Sequence, residues 1–216
     1  TCRNLWKNSI RKEKRRISWE FSVHCIMEKK MKKYQITEWC HHFIKNHVKE
    51  GETCVDATAG NGNDTLLLAE LVGEKGKVYA FDIQEQALRR TKERLEEKKR
   101  DSRAELILQS HEEIGEIVKE EVSCIVFNFG YLPGGDHSLS TKKESSIKAI
   151  ETGLSLLKKG GLMSLCIYSG GDSGFEEKDG ILQYLRTLDS KKYLVIVSEY
   201  YNRPNNPPIP AMIIKL

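Results

Sequence analysis

The 216-residue sequence lacks an apolar run long enough to span a membrane, and it lacks the apolar segment of a signal peptide. Its six cysteines form no C-x-x-C pair and show no spacing typical of metal ligands. Three of them (Cys54, Cys124 and Cys166) lie in apolar segments, as reduced and buried cysteines do. We therefore expect a cytoplasmic protein with no membrane segment and no structural zinc.

The body of the chain also lacks a basic excess. Residues 1–33 hold eleven Lys/Arg against three Glu, whereas the remainder holds 24 Lys/Arg against 28 Asp/Glu. The mildly acidic body argues against a broad electrostatic footprint for nucleic acid, although local basic patches are compatible with it. Residues 1–30 are interpreted as a basic N-terminal extension and residues 31–216 as one domain. Three explanations of the extension are open, namely an RNA-binding arm, a targeting peptide or an upstream sequence joined by an early start. The last is favoured, followed by the RNA-binding arm.

From residue 34 onward, helical and strand patterns alternate. Apolar spacing predicts a one-faced helix over 34–49, whose three histidines (His41, His42 and His47) have no fourth ligand nearby and are interpreted as exposed or capping residues rather than a metal site. Strands are predicted over 52–58, 77–82, 104–109, 122–128, 162–168, 193–198 and 211–215. Helices are predicted over 63–72, 85–98, 140–159 (ended by Gly160-Gly161) and 175–188, with a short helix from His111.

Repeated strand–helix units predict an α/β fold with a mostly parallel sheet and helices on both faces. The last two strands are joined by a loop, which predicts an antiparallel strand at one edge. This seven-stranded, Rossmann-like layout is typical of class I methyltransferases that use S-adenosyl-L-methionine (SAM).

A glycine-rich turn, Val55-Asp-Ala-Thr-Ala-Gly-Asn-Gly-Asn-Asp64, joins the first strand of this pattern to a helix. Glycine permits the positive φ of such a turn and lets a ligand approach the backbone. A dinucleotide site would have a third glycine where Thr65 stands, and Asp64 would repel a pyrophosphate. SAM carries an ammonium, a sulfonium and ribose hydroxyls, which suit Asp56, Asp64 and Asp82.

We therefore favour SAM over NAD as the cofactor. In open α/β sheets ligands bind beyond the carboxyl ends of the strands, and Ser110 there is interpreted either as an adenine neighbour or as the cap of the following helix. The predicted cofactor residues are Asp56, Thr58, Gly60, Asn61, Gly62, Asn63, Asp64, Asp82, Ile83, Gln84, Ser110, His111 and Asn128.

The fourth strand ends at Asn128 and is followed by a loop stiffened by Gly and Pro, Phe129-Gly-Tyr-Leu-Pro-Gly-Gly-Asp-His137. Amino-methyltransferases hold their target nitrogen at this position, where an Asn carbonyl can accept hydrogen bonds from an amine and Tyr131 can stack on a base. The alternative is a turn-rich connection over the sheet. The catalytic candidates are Asn128, Tyr131, Asp136 and His137.

A second loop, over residues 200–210, is rich in Pro and Asn and is interpreted as a recognition loop or as an ordinary hairpin connection. The predicted substrate-binding residues of the two loops are Tyr131, Pro133, Gly134, Gly135, Asn202, Arg203, Asn205 and Asn206.

Three motifs together resemble one bacterial family: DATAGNGND at 56–64, NFGYLPGGDH at 128–137 followed by SSIKAI at 145–150, and NNPP at 205–208. It is the SAM-dependent tRNA 5-aminomethyl-2-thiouridine methyltransferases of the MnmM (YtqB) type, also labelled "putative rRNA methylase". The resemblance covers residues 31–216 and implies methylation of the 5-aminomethyl group at the wobble position of the tRNA anticodon stem-loop.

With this activity, Asp136 or His137 would accept the proton of the substrate ammonium. Tyr131 and the loop of residues 202–206 would contact the base, and Lys142, Lys143 and Arg203 would contact phosphate. A methyltransferase for rRNA or a small-molecule amine is the alternative, followed by a SAM-binding module or an NAD-linked oxidoreductase. The sequence is compatible with a homodimer and does not fix the oligomeric state.

Overall fold

The structure is a computed structural model, which describes residues 34–130, 141–169 and 172–216. Its helices are α1 (Ile36–His47), α2 (Asn63–Val72), α3 (Glu85–Glu97), α4 (Ile114–Ile117), α5 (Lys143–Leu156) and α6 (Asp172–Leu185). Its strands are β1 (Thr53–Asp56), β2 (Lys77–Asp82), β3 (Ala104–Leu108), β4 (Val122–Phe129), β5 (Leu157–Ile167), β6 (Tyr193–Val197) and β7 (Ile209–Lys215). Short 3₁₀ turns precede β3 (Asp101–Arg103) and α4 (His111–Glu113).

The seven strands form one sheet in the order β3-β2-β1-β4-β5-β7-β6. Strands β1 to β5 pair in parallel, and β7 runs antiparallel to both β5 and β6. The predicted α/β class is therefore confirmed. The prediction that the antiparallel strand lies at the edge is wrong, because β7 lies between β5 and β6 and β6 forms the edge. The chain first forms β6 away from β5 and then returns to form β7 between the two.

The central strands are buried on both faces, as expected for a parallel sheet covered by helices. Strand β4 is buried along nearly its whole length, and its Phe127 and Phe129 rings stack with centroids 5.0 Å apart. Cys54 and Cys124 are fully buried beside one another in β1 and β4, and burial raises the pKa of the Cys54 thiol to about 12. These thiols are inert packing groups, as the sequence indicated.

The junction of α5 and β5 differs from the prediction. Helix α5 ends at Leu156, and Gly160-Gly161 lies within β5, where the pairing with β4 shifts from Val122–Leu157 to Cys124–Leu162. The two glycines therefore belong to a bulge in a strand, with Gly160 at φ 75°, rather than to the end of a helix. Both contexts favour glycine, so local sequence does not distinguish them.

The other boundaries agree with the predicted ranges to within a few residues. No helix among the described residues is long and apolar enough to cross a membrane.

Candidate active site

The glycine-rich turn between β1 and α2 is held by the helix that follows β2. Gly60 and Gly62 have φ of 54° and 75°, and a Cβ atom on Gly62 would lie 2.8 Å from Cα of Thr91 on α3. Arg94 Nε donates to the Asn61 carbonyl at 2.8 Å, and Arg90 donates to Asn61 Oδ1 at 3.1 Å. The side chain of Asn61 therefore stabilises the turn, and its predicted cofactor role stays a prediction.

Asp56 ends β1 as a fully buried carboxylate. Thr65 Oγ1 donates to Asp56 Oδ2 at 2.6 Å, and the Thr58 amide donates to Asp56 Oδ1 at 3.2 Å. Burial, followed by the charge of Asp64, raises the pKa of Asp56 to about 7. Its contacts show that it fixes the turn from inside, and its predicted cofactor role stays a prediction.

Asp82 ends β2 and connects the glycine-rich turn to the start of α3. Its Oδ2 accepts from the Gly60 amide and its Oδ1 from the Gln84 amide, each at 2.9 Å. Burial raises the pKa of Asp82. The side chains of Ile83 and Leu108 beside it are about half exposed. A partly exposed carboxylate between two exposed apolar side chains suits a nucleoside, with hydroxyls toward Asp82 and a flat ring against the apolar groups.

Asp64, in the first turn of α2, lies between two other side chains. His41 Nε2 of α1 is 2.5 Å from Asp64 Oδ1, and Asn128 Nδ2 of β4 donates to Asp64 Oδ2 at 2.8 Å. Both His41 and Asp64 have side chains about 15% exposed (14% and 16%). The three residues form a continuous hydrogen-bonded chain, which we call the His41–Asp64–Asn128 chain.

Asn128 is thereby fixed at two points. Its backbone amide donates to Thr58 Oγ1 at 2.7 Å, and its side-chain nitrogen donates to Asp64. A carboxylate only accepts hydrogen bonds, so the amide nitrogen must face Asp64, and the amide oxygen is left to accept from another group. Thr58 acts here by positioning Asn128.

The segment after β3 has a capping role. Ser110 Oγ accepts from the Glu112 amide at 3.3 Å, which confirms the capping interpretation of Ser110. The His111 ring is 9% exposed and lies edge-on to Phe127 and Phe129, with centroids 6.3 and 6.2 Å away. Burial lowers the pKa of His111, so it packs as a neutral ring under the site.

The loop after β4 is joined at its two ends. The Gly130 amide donates to Thr141 Oγ1 at 2.8 Å, and Thr141 Oγ1 donates to the buried Glu177 of α6 at 2.9 Å. Ser146 Oγ donates to the other oxygen of Glu177 at 2.6 Å. The predicted residues Tyr131, Pro133, Gly134, Gly135, Asp136 and His137 lie between these ends, outside the described residues.

The loop between β6 and β7 lies at the end of β5. Asn205 and Asn206 have φ of 65° and 45°, and Ser169 Oγ donates to the Asn206 carbonyl at 3.1 Å. Tyr201 is 94% exposed, and Arg203 is exposed. This loop therefore lies at the carboxyl ends of the parallel strands β4 and β5, which is where the sequence predicts a substrate-recognition loop.

Sequence reasoning missed two residues that build the site. His41 was interpreted as an exposed or capping residue, and Glu177 was not considered. That interpretation of His41 is wrong, because its side chain lies largely buried against Asp64. A signal was present only for Glu177, as a carboxylate on the buried face of a predicted helix.

Residues 78–214 match the family model described as "Putative rRNA methylase", which is more than half of the chain. The chain belongs to this family. The membership confirms the family that the three motifs indicated.

Similar proteins cover more of the chain than the family model does. A chloroplastic tRNA (mnm(5)s(2)U34)-methyltransferase of Arabidopsis thaliana is 35% identical over 181 residues, which is 79% of this chain; this chain spans 66% of the length of that curated relative. A "putative rRNA-methylase" from Clostridium thermocellum is 44% identical with a TM-score of 0.83, covering 84% of this chain and 98% of its own. A "putative methyltransferase" from Streptococcus mutans, solved in complex with SAH, is 38% identical with a TM-score of 0.77, covering 83% and 97%.

Proposed function

We propose that this chain is a SAM-dependent methyltransferase that N-methylates the 5-aminomethyl group of 5-aminomethyl-2-thiouridine at the tRNA wobble position, giving the 5-methylaminomethyl form. The observation that carries the proposal is the fixed amide of Asn128, held at the carboxyl end of β4 by Asp64 beside Asp56 and Asp82. The sequence identity to the Arabidopsis tRNA methyltransferase supports the choice of substrate.

The donor set fits SAM. Three carboxylates (Asp56, Asp64 and Asp82) converge at the turn, and none of them pairs with a Lys or Arg among the residues described. Such negative charge favours a cationic ligand. Asp82 with Ile83 would hold the nucleoside, and Asp64 would face the ammonium. SAM supplies a methyl group that is already electrophilic, so the protein's own task is alignment.

The residues of this chain align the amine. Asn128 Oδ1 would accept a hydrogen bond from the substrate amine and direct its lone pair away from the amide. Holding two reactants in one geometry removes several kcal/mol from a barrier, and a misplacement of about 1 Å costs about 100-fold in rate. Asp136 or His137 would take the proton that the ammonium must lose first.

The substrate would reach the site as an unpaired base. Anticodon-loop bases are already largely unstacked, so their presentation costs less than flipping a base from a duplex. Tyr131 and the loop carrying Asn205 would contact the base, and Lys142 with Arg203 would contact phosphate. Because the body is mildly acidic, local contacts of this kind suit a stem-loop better than a long duplex. The proposed compartment is the cytoplasm, whereas the Arabidopsis relative is chloroplastic by its name.

The test is nucleoside mass spectrometry of tRNA. Purified protein is incubated with SAM and with tRNA from cells that lack the corresponding gene, and in parallel with rRNA from the same cells. The proposal expects the 5-aminomethyl-2-thiouridine of tRNA to be converted to its methylated form. Methylation of rRNA alone would reject this proposal in favour of the rRNA methylase activity named in the family description. Isothermal calorimetry with SAM and with NAD distinguishes either methyltransferase from an NAD-linked enzyme.

A further inference from the structure

We propose that His41 is a positioning residue that sets the orientation of the Asn128 amide through Asp64. The inference rests on the proposed function, since it concerns how the substrate amine is received. His41 precedes β1 in the chain, and neither the glycine-rich turn nor the β4 loop contains it.

The geometry connects His41 to Asn128 through one carboxylate. Asp64 uses Oδ1 for His41 at 2.5 Å and Oδ2 for Asn128 Nδ2 at 2.8 Å. A carboxylate with donors on both oxygens cannot rotate without losing one of them. Such a loss is costly in this largely buried setting, because a buried acceptor without a donor has lost its hydration and gains no hydrogen bond in return.

The other histidines of α1 have different partners. His47 Nδ1 contacts the Phe43 carbonyl at 2.9 Å, and His42 Nε2 contacts Asn46 Nδ2 at 3.3 Å, both within α1. The ring of His41 instead contacts a residue of the turn region, Asp64, so the direction of this ring matters to the site.

An asparagine amide has two ends of similar shape and opposite hydrogen-bonding character. With Asp64 fixed, Asn128 Nδ2 faces the carboxylate and Oδ1 faces the substrate side. If Asp64 turns, the amide loses this constraint, and its NH₂ end would meet an incoming amine as donor against donor. The effect falls on alignment, so we expect it in kcat rather than in the affinity for SAM.

The experiment compares His41→Leu, which removes the donor, with His41→Gln, which keeps one. His42→Leu is the matched control on the exposed side of the same helix. For each, kcat and KM are measured on tRNA bearing 5-aminomethyl-2-thiouridine, the SAM dissociation constant by calorimetry, and the exchange of the Asn128 side-chain amide protons by NMR. His41→Ala repeats the removal in a smaller side chain should His41→Leu fail to fold.

We expect His41→Leu to lower kcat about tenfold, with the SAM dissociation constant changed less than about threefold and with faster exchange of the Asn128 amide protons. His41→Gln should recover most of kcat and of the protection, and His42→Leu should match the parent. In an Asp64→Ala background, His41→Leu should have no additional effect on kcat, since the coupling passes through Asp64.

Two results would overturn the inference. One is parent-like kcat and amide exchange in His41→Leu. The other is a loss of SAM affinity in His41→Leu with kcat preserved, which would assign His41 to the cofactor. Inactivity of the parent protein on this tRNA would instead reject the proposed function, while the SAM affinity and amide exchange would still report on the His41–Asp64–Asn128 chain.

Discussion

The two ends of the sheet's parallel strands hold acidic side chains in different ways. At the amino end, Glu52 pairs with Lys158, and Glu105 pairs with Lys77 at 2.7 Å. Burial alone would raise the pKa of Glu52, but the hydrogen bonds from Lys158 and the Lys49 amide, together with the charge of Lys158, lower that pKa. These acids are neutralised within the fold.

At the carboxyl end, Asp56 and Asp82 are held by neutral donors. Asp56 accepts from a hydroxyl and a backbone amide, and Asp82 accepts from two backbone amides. Burial raises the pKa of both. Among the described residues, Glu52 and Glu105 pair with lysine at the amino end, whereas Asp56 and Asp82 have no such partner at the carboxyl end. This contrast supports the proposal that a cationic ligand binds at the carboxyl end.

The largest expected difference between the ends lies within strand β4. Asn128→Ala at the carboxyl end should lower kcat about 100-fold, because the amine loses its aligning acceptor. Ser123→Ala near the amino end of β4 removes a hydroxyl that donates to the Thr53 carbonyl at 3.1 Å. It should cost about 1 kcal/mol of stability and leave kcat unchanged. Steady-state kinetics and urea unfolding measure the two effects, and a rate loss in Ser123→Ala would remove the contrast.

Cofactor affinity should depend on the carboxyl end alone. Two backbone amides donate hydrogen bonds to the Asp82 carboxylate. Asp82→Asn places an NH₂ group against one of these donors and also removes a negative charge. We expect the SAM dissociation constant to rise about 30-fold, or about 2 kcal/mol. Glu105→Gln on the neighbouring strand β3 changes the same charge at the amino end and should leave affinity as it is. Calorimetry decides, and an equal loss in both variants would indicate a general electrostatic effect.

The two ends of the parallel strands can also be compared through two glycines, Gly62 and Gly160, which both have φ of 75°. Gly160→Ala, in the β5 bulge, meets no atom within 4 Å, so its cost is that of the left-handed backbone, about 1 kcal/mol. Gly62→Ala adds a contact at 2.8 Å with Cα of Thr91 and should cost about 1.5 kcal/mol more. Thermal unfolding measures both. SAM affinity should fall only in Gly62→Ala, and an equal cost at both sites would mean that α3 shifts to accept the methyl group.

The sequence was sufficient to predict the parts of the site that depend on local pattern. An acid at the end of an apolar strand and a glycine turn before a helix placed Asp56, Asp82 and Gly62 correctly at the carboxyl ends. The capping role of Ser110 was one of two interpretations, because a hydroxyl before a helix suits both a cap and a ligand contact. The structure shows the cap, and the contact with adenine stays a prediction.

The rest depends on long-range packing. His41 meets Asp64 across 23 residues, and no periodicity within a helix shows which distant carboxylate one of its side chains will reach. The bulge at Gly160 depends on pairing between β4 and β5, and the insertion of β7 beside β5 depends on the return path of the chain. Each is a choice among arrangements with similar local propensity.

The pH dependence of stability gives the last comparison between the two ends. The folded-state pKa of Asp56 is about 7, above its ordinary value of 3.8, so the folded protein binds a proton that the unfolded chain has released. The stability this contributes is complete below about pH 4 and is lost as the pH rises through 7. Asp56→Asn removes this loss, so its unfolding free energy relative to the parent should rise by about 2 to 3 kcal/mol between pH 5 and pH 8, because the parent loses about 1.4 kcal/mol for each pH unit between pH 5 and the pKa. Glu52 has a pKa below its ordinary 4.5, so its contribution is lost only as the pH falls below that value, and Glu52→Gln should have a constant effect from pH 5 to pH 8.

Urea unfolding at four pH values measures both variants. A constant effect of Asp56→Asn as well would show that Asp56 is ionised at pH 5, and the carboxyl end would then carry its full negative charge even without a cation.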